Sequence, residues 1–307
     1  MSHRVLATLR LPGPAFNELE APAIVPLAEL DPSGGVEALI VANEDVGDAV
    51  LDLLPDLRVV ANFGVGYDRI DVEACRRRGV VVTNTPGVLD AATADLALAL
   101  LLAVQRRVVE GDRRIRAGGW RAGWSQGTLA LELAGSTLGI VGLGRIGTAV
   151  ARRAAGFGLR LLYTKQVPLE PAAERTLAVE WRALDDLLAE SDSVTVHAPR
   201  TPGTVGLLDA RRLSLLHDGA VLVNTARAEL VDRDALVREL VSGRLSAGLD
   251  VFWDEPTVPE ELVGLDNVVL TPHIGSATEV ARFGMTRVVV DNVLAVLAGR
   301  APLTPVG

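Results

Sequence analysis

Gly139-Ile-Val-Gly-Leu-Gly-Arg-Ile-Gly-Thr-Ala-Val150 contains three glycines, Gly142, Gly144 and Gly147, in the spacing GxGxxG. An apolar run precedes them and a helical pattern follows. The GxGxxG spacing is a specific indication of function only in such a strand–turn–helix context. In a dinucleotide-binding turn the first glycine permits a tight turn, the second lets the backbone approach a pyrophosphate, and the third lets helix and strand pack closely. The N–H groups at the helix N-terminus then attract the anion. The alternative is a structural turn, which the flanking strand and helix disfavour.

Short apolar runs alternate with amphipathic helical patterns on both sides of this turn. After residue 137 the runs are 138–141, 159–163, 194–196, 220–223, 247–249 and 268–270, and in the first ninety residues they are 5–9, 38–41, 59–62 and 80–83. Continuous runs of this length are typical of strands that are buried on both faces. Their alternation with helices predicts parallel sheets.

The chain is therefore predicted to form two α/β domains, each a Rossmann-like, doubly wound parallel sheet. Between them Asp90 is the expected N-cap of one long connecting helix that runs to about Ile115 and stops before two glycines. A last helical segment, 279–297, would cross back to the first domain. These features predict a dinucleotide-binding domain, residues 96–283, inserted into a discontinuous substrate-binding domain, residues 1–95 and 284–307.

Composition narrows the classes of function. The 307 residues are 49% hydrophobic and 22% charged, with mean hydropathy +0.30, which is enough apolar material for two globular cores. The net charge of −9 argues against nucleic acid and anionic membranes as partners. Cys75 is the only cysteine, which excludes an intramolecular disulfide and a Cys-rich zinc site and favours a cytoplasmic location. The most apolar stretch, 96–104, is too short to span a bilayer.

The second strand of the dinucleotide-binding domain ends in Thr164-Lys165. A site for NAD normally carries Asp or Glu here, about 20 residues after the glycines, to accept hydrogen bonds from the ribose hydroxyls. This chain has no acid at that point, and Lys165 could place positive charge near a ribose 2′-phosphate. We therefore expect NADP to be preferred, with NAD as the second candidate; the alternative is that Lys165 is simply solvated.

Three polar residues follow late strands: Arg227, Glu255 and His273. Ligands bind at the carboxyl edge of an open parallel sheet, so these positions suit a site. Each residue taken alone has a structural alternative, which for Arg227 is an ion pair, for Glu255 a solvated charge and for His273 a hydrogen bond within its loop. Together they suit reduction of a keto group, because the oxygen that gains charge needs a proton donor and a fixed cation. His273 suits the first task with Glu255 beside it, and Arg227 suits the second.

The chain resembles the D-isomer-specific 2-hydroxyacid dehydrogenase family over nearly its whole length, and it looks closest to glyoxylate and hydroxypyruvate reductases. The segments that carry the resemblance, besides the glycine turn, are 62–68, 84–87, 197–199, 224–227, 250–256 and 273–276. The resemblance implies NAD(P)-dependent reduction of a small 2-oxo acid to the D-2-hydroxy acid by Arg227, Glu255 and His273. It also implies a homodimer, formed through the connecting helix and the loop after it.

The resemblance further implies residue roles that the pattern alone does not give. Backbone N–H groups of Val65 and Gly66, together with Arg227, are expected to bind the substrate, although a structural turn at the two glycines 64 and 66 is the alternative. Asp250 is expected near the nicotinamide amide, and His197 is expected to shape its loop. The positions expected to contact the cofactor are Thr93, Gly142, Gly144, Arg145, Ile146, Gly147, Thr164, Lys165, Pro199, Thr225, Ala226, Asp250 and Gly275.

Three tryptophans lie near these segments. Trp253 is expected to narrow the pocket toward small substrates, and Trp120 and Trp124 to close over the site or to form an interface. Two other functions are compatible with the family. One is oxidation of a D-2-hydroxy acid of the phosphoglycerate dehydrogenase type, and the other is nucleotide sensing by a non-enzymatic, corepressor-like protein. The filled catalytic positions favour an enzyme over the latter.

Overall fold

A computed structural model describes residues 4–120 and 129–307 of the chain. The described residues form two compact units, one of residues 4–89 with 276–307 and the other of residues 90–120 with 129–275. The boundaries expected from sequence, 95/96 and 283/284, lie several residues further along the chain. The helix that begins at Asp90 packs against the sheet of the second unit from its first turns, and Phe283 and Gly284 pack within the first unit.

The first unit contains a five-stranded parallel sheet in the order β2-β1-β3-β4-β5. Its strands are β1 (Val5–Ala7), β2 (Ala23–Ile24), β3 (Ala38–Val41), β4 (Val59–Asn62) and β5 (Val81–Thr83). Its helices are α1 (Asp48–Leu53), α2 (Val72–Arg77) and α11 (Glu279–Leu297). The predicted helical segment 279–297 is the same as α11, which begins after a Thr278 side-chain cap.

The second unit contains a seven-stranded parallel sheet in the order β12-β11-β10-β9-β6-β7-β8. Its strands are β6 (Thr137–Val141), β7 (Arg160–Thr164), β8 (Val179–Trp181), β9 (Ser193–Val196), β10 (Val221–Asn224), β11 (Ser246–Leu249) and β12 (Val268–Leu270). Its helices are α3 (Asp90–Gln105), α4 (Val108–Arg116), α5 (Arg145–Ala154), α6 (Pro171–Leu177), α7 (Leu184–Glu190), α8 (Ala210–Leu213), α9 (Arg233–Val241) and α10 (Glu260–Val263).

The predicted fold class, two doubly wound parallel-sheet α/β domains, is confirmed by these two sheets. The sequence pattern missed β2 and β8. Both are edge strands of two or three residues with exposed positions, so neither produces a continuous apolar run.

The prediction of one helix from Asp90 to about Ile115 is wrong. The helix is broken at Arg107, whose φ of 53° is left-handed, into α3 and α4. α3 carries eight buried residues and packs against α5 and strands β10 to β12, whereas α4 has none. The chain leaves the surface of the sheet at this break, which lies at a residue that is neither glycine nor proline.

The core of the second unit covers both faces of its sheet. Along β10, Leu222 packs into one hydrophobic cluster, and Val221 and Val223 pack into the other. Successive side chains of a strand point to opposite faces, so a strand covered on both sides must be apolar at every position. This explains the continuous apolar runs in the sequence. No helix among residues 4–120 and 129–307 is both long and apolar enough to cross a bilayer.

Candidate active site

The glycine turn joins β6 to α5. A different steric observation explains why glycine suits each of its three positions. Gly142 has a φ of 95°, and a Cβ there would lie 2.6 Å from the backbone nitrogen of Ala198. A Cβ on Gly147 would lie 2.2 Å from the carbonyl oxygen of Gly142, so only glycine lets α5 approach β6 this closely. Gly144 has no described atom within 4 Å of its Cβ position, and it gives α5 no side-chain cap. The open backbone and uncapped helix therefore fit a dinucleotide pyrophosphate.

The strand end that should meet the adenosine ribose lies beside this turn. The backbone N–H of Gly142 donates to the carbonyl oxygen of Thr164 at 3.0 Å. Lys165, the next residue, is half-buried, and it makes no ion pair with the described residues. It is also the only lysine in a chain whose 30 basic residues are otherwise all arginine. Lys165 is therefore the one position among these basic residues that carries an ammonium group and not a guanidinium.

Among the other expected cofactor positions, Asp250 and Gly275 lie close to Thr93 at the start of α3. Gly275 donates to Oδ2 of Asp250 at 2.8 Å, and a Cβ on Gly275 would lie 3.4 Å from Cγ2 of Thr93. The hydroxyl of Thr225 is buried and has no hydrogen-bond partner among the described residues. A buried hydroxyl without a partner costs about 1–3 kcal/mol, so its position suits a ligand that supplies one. Arg145 and Ile146 form the first turn of α5, and Pro199 is exposed.

Arg227 lies just beyond the end of β10 and is held through its backbone. Nδ2 of Asn224 donates to the carbonyl oxygen of Arg227 at 2.8 Å, and the N–H of Ala226 donates to Oδ1 of Asn224 at 3.0 Å. Asn224 is buried, so the turn that carries Arg227 is fixed to the sheet. The guanidinium is half-buried and also donates to the carbonyl oxygen of Ala226.

Glu255 and His273 are in direct contact. Nδ1 of His273 lies 2.8 Å from Oε2 of Glu255, and the N–H of Phe252 donates to Oε1 of the same carboxylate at 3.0 Å. Burial raises the pKa of the Glu255 carboxyl. The hydrogen bond and charge of His273, the Phe252 N–H and the Arg227 charge outweigh that effect and hold the pKa below its ordinary range. Glu255 is therefore ionised near neutral pH and orients the imidazole.

The turn that presents His273 is organised by Asp250, a role that the sequence did not indicate. Asp250 is fully buried at the end of β11, and its carboxylate accepts from Oγ1 of Thr271 at 2.6 Å and from the N–H groups of Ile274 and Gly275 at 2.8 Å. His273 has a φ of 51°, which costs energy in a residue with a side chain. The three hydrogen bonds on either side of His273 stabilise this conformation. Burial raises the pKa of Asp250.

His197 makes a different kind of contact from His273. Its Nε2 lies 2.8 Å from Oγ1 of Thr195, and burial lowers its pKa to about 4. The ring is therefore neutral near pH 7. A neutral ring suits a histidine that shapes its own loop. It does not suit a proton donor at that pH.

Val65 and Gly66 belong to the first unit, in the loop after β4. Val65 is half-buried and Gly66 is exposed. Nδ2 of Asn62 donates to the carbonyl oxygen of Gly66 at 2.8 Å, so the loop folds back over the end of its own strand.

The three tryptophans differ in what the structure describes. Trp253 packs against the larger hydrophobic cluster of the second unit, and its Nε1 donates to the carbonyl oxygen of Val231 at 3.0 Å. It therefore anchors the loop that carries Glu255, and the expectation that it limits substrate size stays a prediction. Trp120 is 71% exposed. Trp124 lies outside the described residues.

The model of the D-isomer-specific 2-hydroxyacid dehydrogenase NAD-binding domain matches residues 98–275. The chain belongs to this family. It is 45% identical to the glyoxylate reductase of Pyrococcus furiosus, with 99% of this chain and 95% of that protein covered. It is 49% identical to the glyoxylate reductase of Pyrococcus horikoshii, with 88% and 82% covered.

A solved structure extends the comparison to the whole fold. The NADPH-dependent glyoxylate/hydroxypyruvate reductase of Sinorhizobium meliloti, in complex with NADP and malonate, superposes with a TM-score of 0.88 at 36% identity and covers 100% of this chain and 97% of that one. Membership of the family makes the protein a nicotinamide-dependent oxidoreductase that acts on a CH–OH group. The resemblance stated from the sequence motifs is thus confirmed.

Replacing Glu255 with glutamine tests the carboxylate that contacts His273. Glu255→Gln keeps the size of the side chain and removes the carboxylate that contacts the imidazole at 2.8 Å. We expect kcat for 2-oxo acid reduction to fall about ten-fold near neutral pH, because a less firmly oriented imidazole is a poorer proton donor. Asp254→Asn is the control, because it removes the same charge from an exposed neighbour that pairs with Arg233. A kcat in Glu255→Gln equal to that of the wild type would refute this role of the carboxylate.

Proposed function

We propose that this protein reduces glyoxylate, hydroxypyruvate or a similarly small 2-oxo acid to the D-2-hydroxy acid, with NADPH as the preferred reductant. The observation that carries the proposal is the 2.8 Å contact between His273 and an ionised Glu255, with the Arg227 charge acting on the same carboxylate. The curated relatives at 45–49% identity, which are glyoxylate reductases, support the choice of substrate class.

The catalytic residues divide the reaction between them. When bound, a reduced nicotinamide supplies the hydride that forms the new C–H bond at the keto carbon. His273 gives a proton to the oxygen as the C=O π bond breaks, which yields the hydroxyl and leaves a neutral imidazole. The side chain of His273 is 41% exposed, so water can return its proton. Arg227 stabilises the charge that develops on the oxygen, because a guanidinium stays ionised and has fixed donors.

The substrate carboxylate is proposed to bind to the backbone N–H groups of Val65 and Gly66. Neither N–H donates a hydrogen bond to another described residue. Two neighbouring N–H groups without partners form a concave site for an anion. A carboxylate adjacent to the keto group, as in every 2-oxo acid, would satisfy both.

The preference for NADPH is proposed to depend on Lys165. The residue follows the strand end beside Gly142, where an acid would repel a 2′-phosphate and a cation would attract it. An ammonium on a flexible stem acts as a point charge for a phosphate, without the planar geometry of arginine. The NADP complex of the Sinorhizobium meliloti relative supports the proposed preference for NADPH.

A homodimer is proposed to form through the surface of α4 and of the described residues that follow it, 117–120 and 129–131. The large apolar side chains Val108, Ile115, Trp120, Leu129 and Leu131 are all more than half exposed there. Exposed apolar side chains concentrated in one segment mark an association surface.

A substrate panel tests the proposed reaction. Loss of reduced-cofactor absorbance should be observed with NADPH and glyoxylate or hydroxypyruvate, and should be slower with bulkier 2-oxo acids. His273→Gln should lower kcat by about 10²- to 10⁴-fold with little change in NADPH affinity, because only the proton donor is lost. His217→Gln is the control, since His217 is exposed and belongs to no site motif. Full turnover by His273→Gln, or no turnover of any 2-oxo acid by the wild type, would reject the proposal.

Lys165→Met tests the cofactor preference. We expect kcat/KM for NADPH to fall about ten-fold and that for NADH to change little, because NADH has no 2′-phosphate. Lys165→Arg keeps the charge and should retain most of the preference. Lys165 is the only lysine, so it carries the only side-chain amine that an amine-reactive reagent can modify. NADPH should protect Lys165 from it better than NADH does. A wild-type kcat/KM that is higher with NADH would contradict the assignment.

The molecular mass measured by sedimentation tests the proposed dimer. The wild type should sediment with a mass of about twice the 32.4 kDa of one chain. Leu131→Glu should shift it toward the monomer, because a charge cannot be buried without a partner. Leu303→Glu, at an exposed leucine of the first unit, is the control and should leave the dimer intact. A monomeric wild type at micromolar concentration would rule the dimer out.

A further inference from the structure

The loop 63–66 after β4 is shaped by a buried amide at the end of that strand. Nδ2 of Asn62 donates to the carbonyl oxygens of Gly64 at 3.0 Å and Gly66 at 2.8 Å. Asn62 is 3% exposed, so it makes these bonds away from solvent. The two carbonyl groups are therefore directed toward the interior of the first unit.

A second buried amide, from the end of the neighbouring strand β5, holds the carbonyl group between them. Nδ2 of Asn84 donates to the carbonyl oxygen of Val65 at 2.8 Å. The backbone N–H of Thr85 donates to the carbonyl oxygen of Gly64 at 3.0 Å. Three consecutive carbonyl groups of the loop thus have donors on the protein side.

The direction of these carbonyl groups determines where the loop N–H groups point. In a planar trans peptide the C=O of one residue and the N–H of the next point in opposite directions. Fixing the C=O of Gly64 therefore directs the N–H of Val65 away from the interior, and fixing the C=O of Val65 does the same for the N–H of Gly66. Asn84 determines the orientation of the second peptide through a single side-chain bond.

Asn84 is itself held by the segment that follows α11. Oγ1 of Thr304 donates to the carbonyl oxygen of Asn84 at 2.6 Å, and the N–H of Asn84 donates to the carbonyl oxygen of Thr304 at 3.3 Å. Nδ2 of Asn292, a fully buried residue of α11, donates to Oγ1 of Thr304 at 2.9 Å. Oδ1 of Asn292 accepts from the N–H groups of Leu303 and Thr304 at 2.8 and 3.0 Å.

We propose that Asn84 is a positioning residue for the substrate carboxylate, and that the hydroxyl of Thr304, held by Asn292, keeps Asn84 in place. The segment around Thr304 is then part of the machinery that selects 2-oxo acids, although it touches no substrate. This inference rests on the proposed function, in which Val65 and Gly66 bind the carboxylate.

Asn84→Asp provides the direct test. The variant keeps the shape of the side chain but replaces the NH₂ donor with an acceptor, which repels the carbonyl oxygen of Val65 and favours rotation of the 65–66 peptide. We expect KM for glyoxylate to rise at least about ten-fold and kcat to change less, while the Kd of NADPH stays within about two-fold. Oxalate has the carboxylates but no reducible carbonyl group, and its inhibition constant should rise in parallel with KM.

Thr304→Val and Thr304→Ser form a matched pair for the indirect step. Valine has the shape of threonine without the hydroxyl, so KM for glyoxylate should rise several-fold. Serine keeps the hydroxyl and should restore KM to near the wild-type value. A purely structural role would change the thermal midpoint in both variants without separating KM from kcat. This pair also decides the proposal if Asn84→Asp fails to fold, which thermal unfolding and NADPH binding would reveal.

The outcomes separate the two proposals. If the wild type turns over 2-oxo acids but KM and oxalate inhibition are unchanged in Asn84→Asp and in Thr304→Val, the positioning role is wrong and the proposed function stands. If the wild type turns over no 2-oxo acid, the proposed function fails and this inference fails with it. A large loss of kcat with unchanged KM would also overturn the inference, because it would place Asn84 in the chemical step.

Discussion

Parallel hydrogen bonding across β6, β9, β10, β11 and β12 is the constraint on which the second unit depends. Pairing of Asn224 with Leu249 and of Leu249 with Leu270 places the ends of three successive strands side by side. Arg227, Glu255 and His273 follow these ends, and the glycine turn follows β6 at the same edge. Because every strand runs in the same direction, residues far apart in the chain must meet at one edge of the sheet. The contact between His273 and Glu255 is a consequence of this arrangement.

Buried polar side chains at the strand ends determine the shape of the loops beyond them. Asn224 holds the turn of Arg227, Asp250 holds the turn of His273, and Asn62 and Asn84 hold the loop of Val65. Each satisfied hydrogen bond contributes only about 1 kcal/mol, but leaving a buried group without its partner costs about 1–3 kcal/mol. These hydrogen bonds therefore hold the turns that carry Arg227 and His273 and the loop that carries Val65.

Burial and charge distinguish the two histidines that occur in motifs. Desolvation without a carboxylate partner keeps His197 neutral, whereas His273 is exposed and contacts an ionised Glu255. The same residue type is thus suited to a structural role in one loop and to proton transfer in another. The position along the sheet edge, rather than the residue type, makes the difference.

The sequence by itself determined the two parallel sheets, the glycine turn and the bounds of α11, because continuous apolar runs, glycine spacing and helical periodicity are local properties. It also nominated Arg227, Glu255 and His273 as the catalytic residues, which stays a prediction. It could not show the break at Arg107, since no proline or glycine marks it, nor the edge strands β2 and β8, which are too short for a pattern. The three hydrogen bonds of Asp250 and the link from Asn292 through Thr304 to Asn84 were also hidden. Only the tertiary structure decided these, because their partners are separated along the chain and meet only when the strands pair and the helices pack.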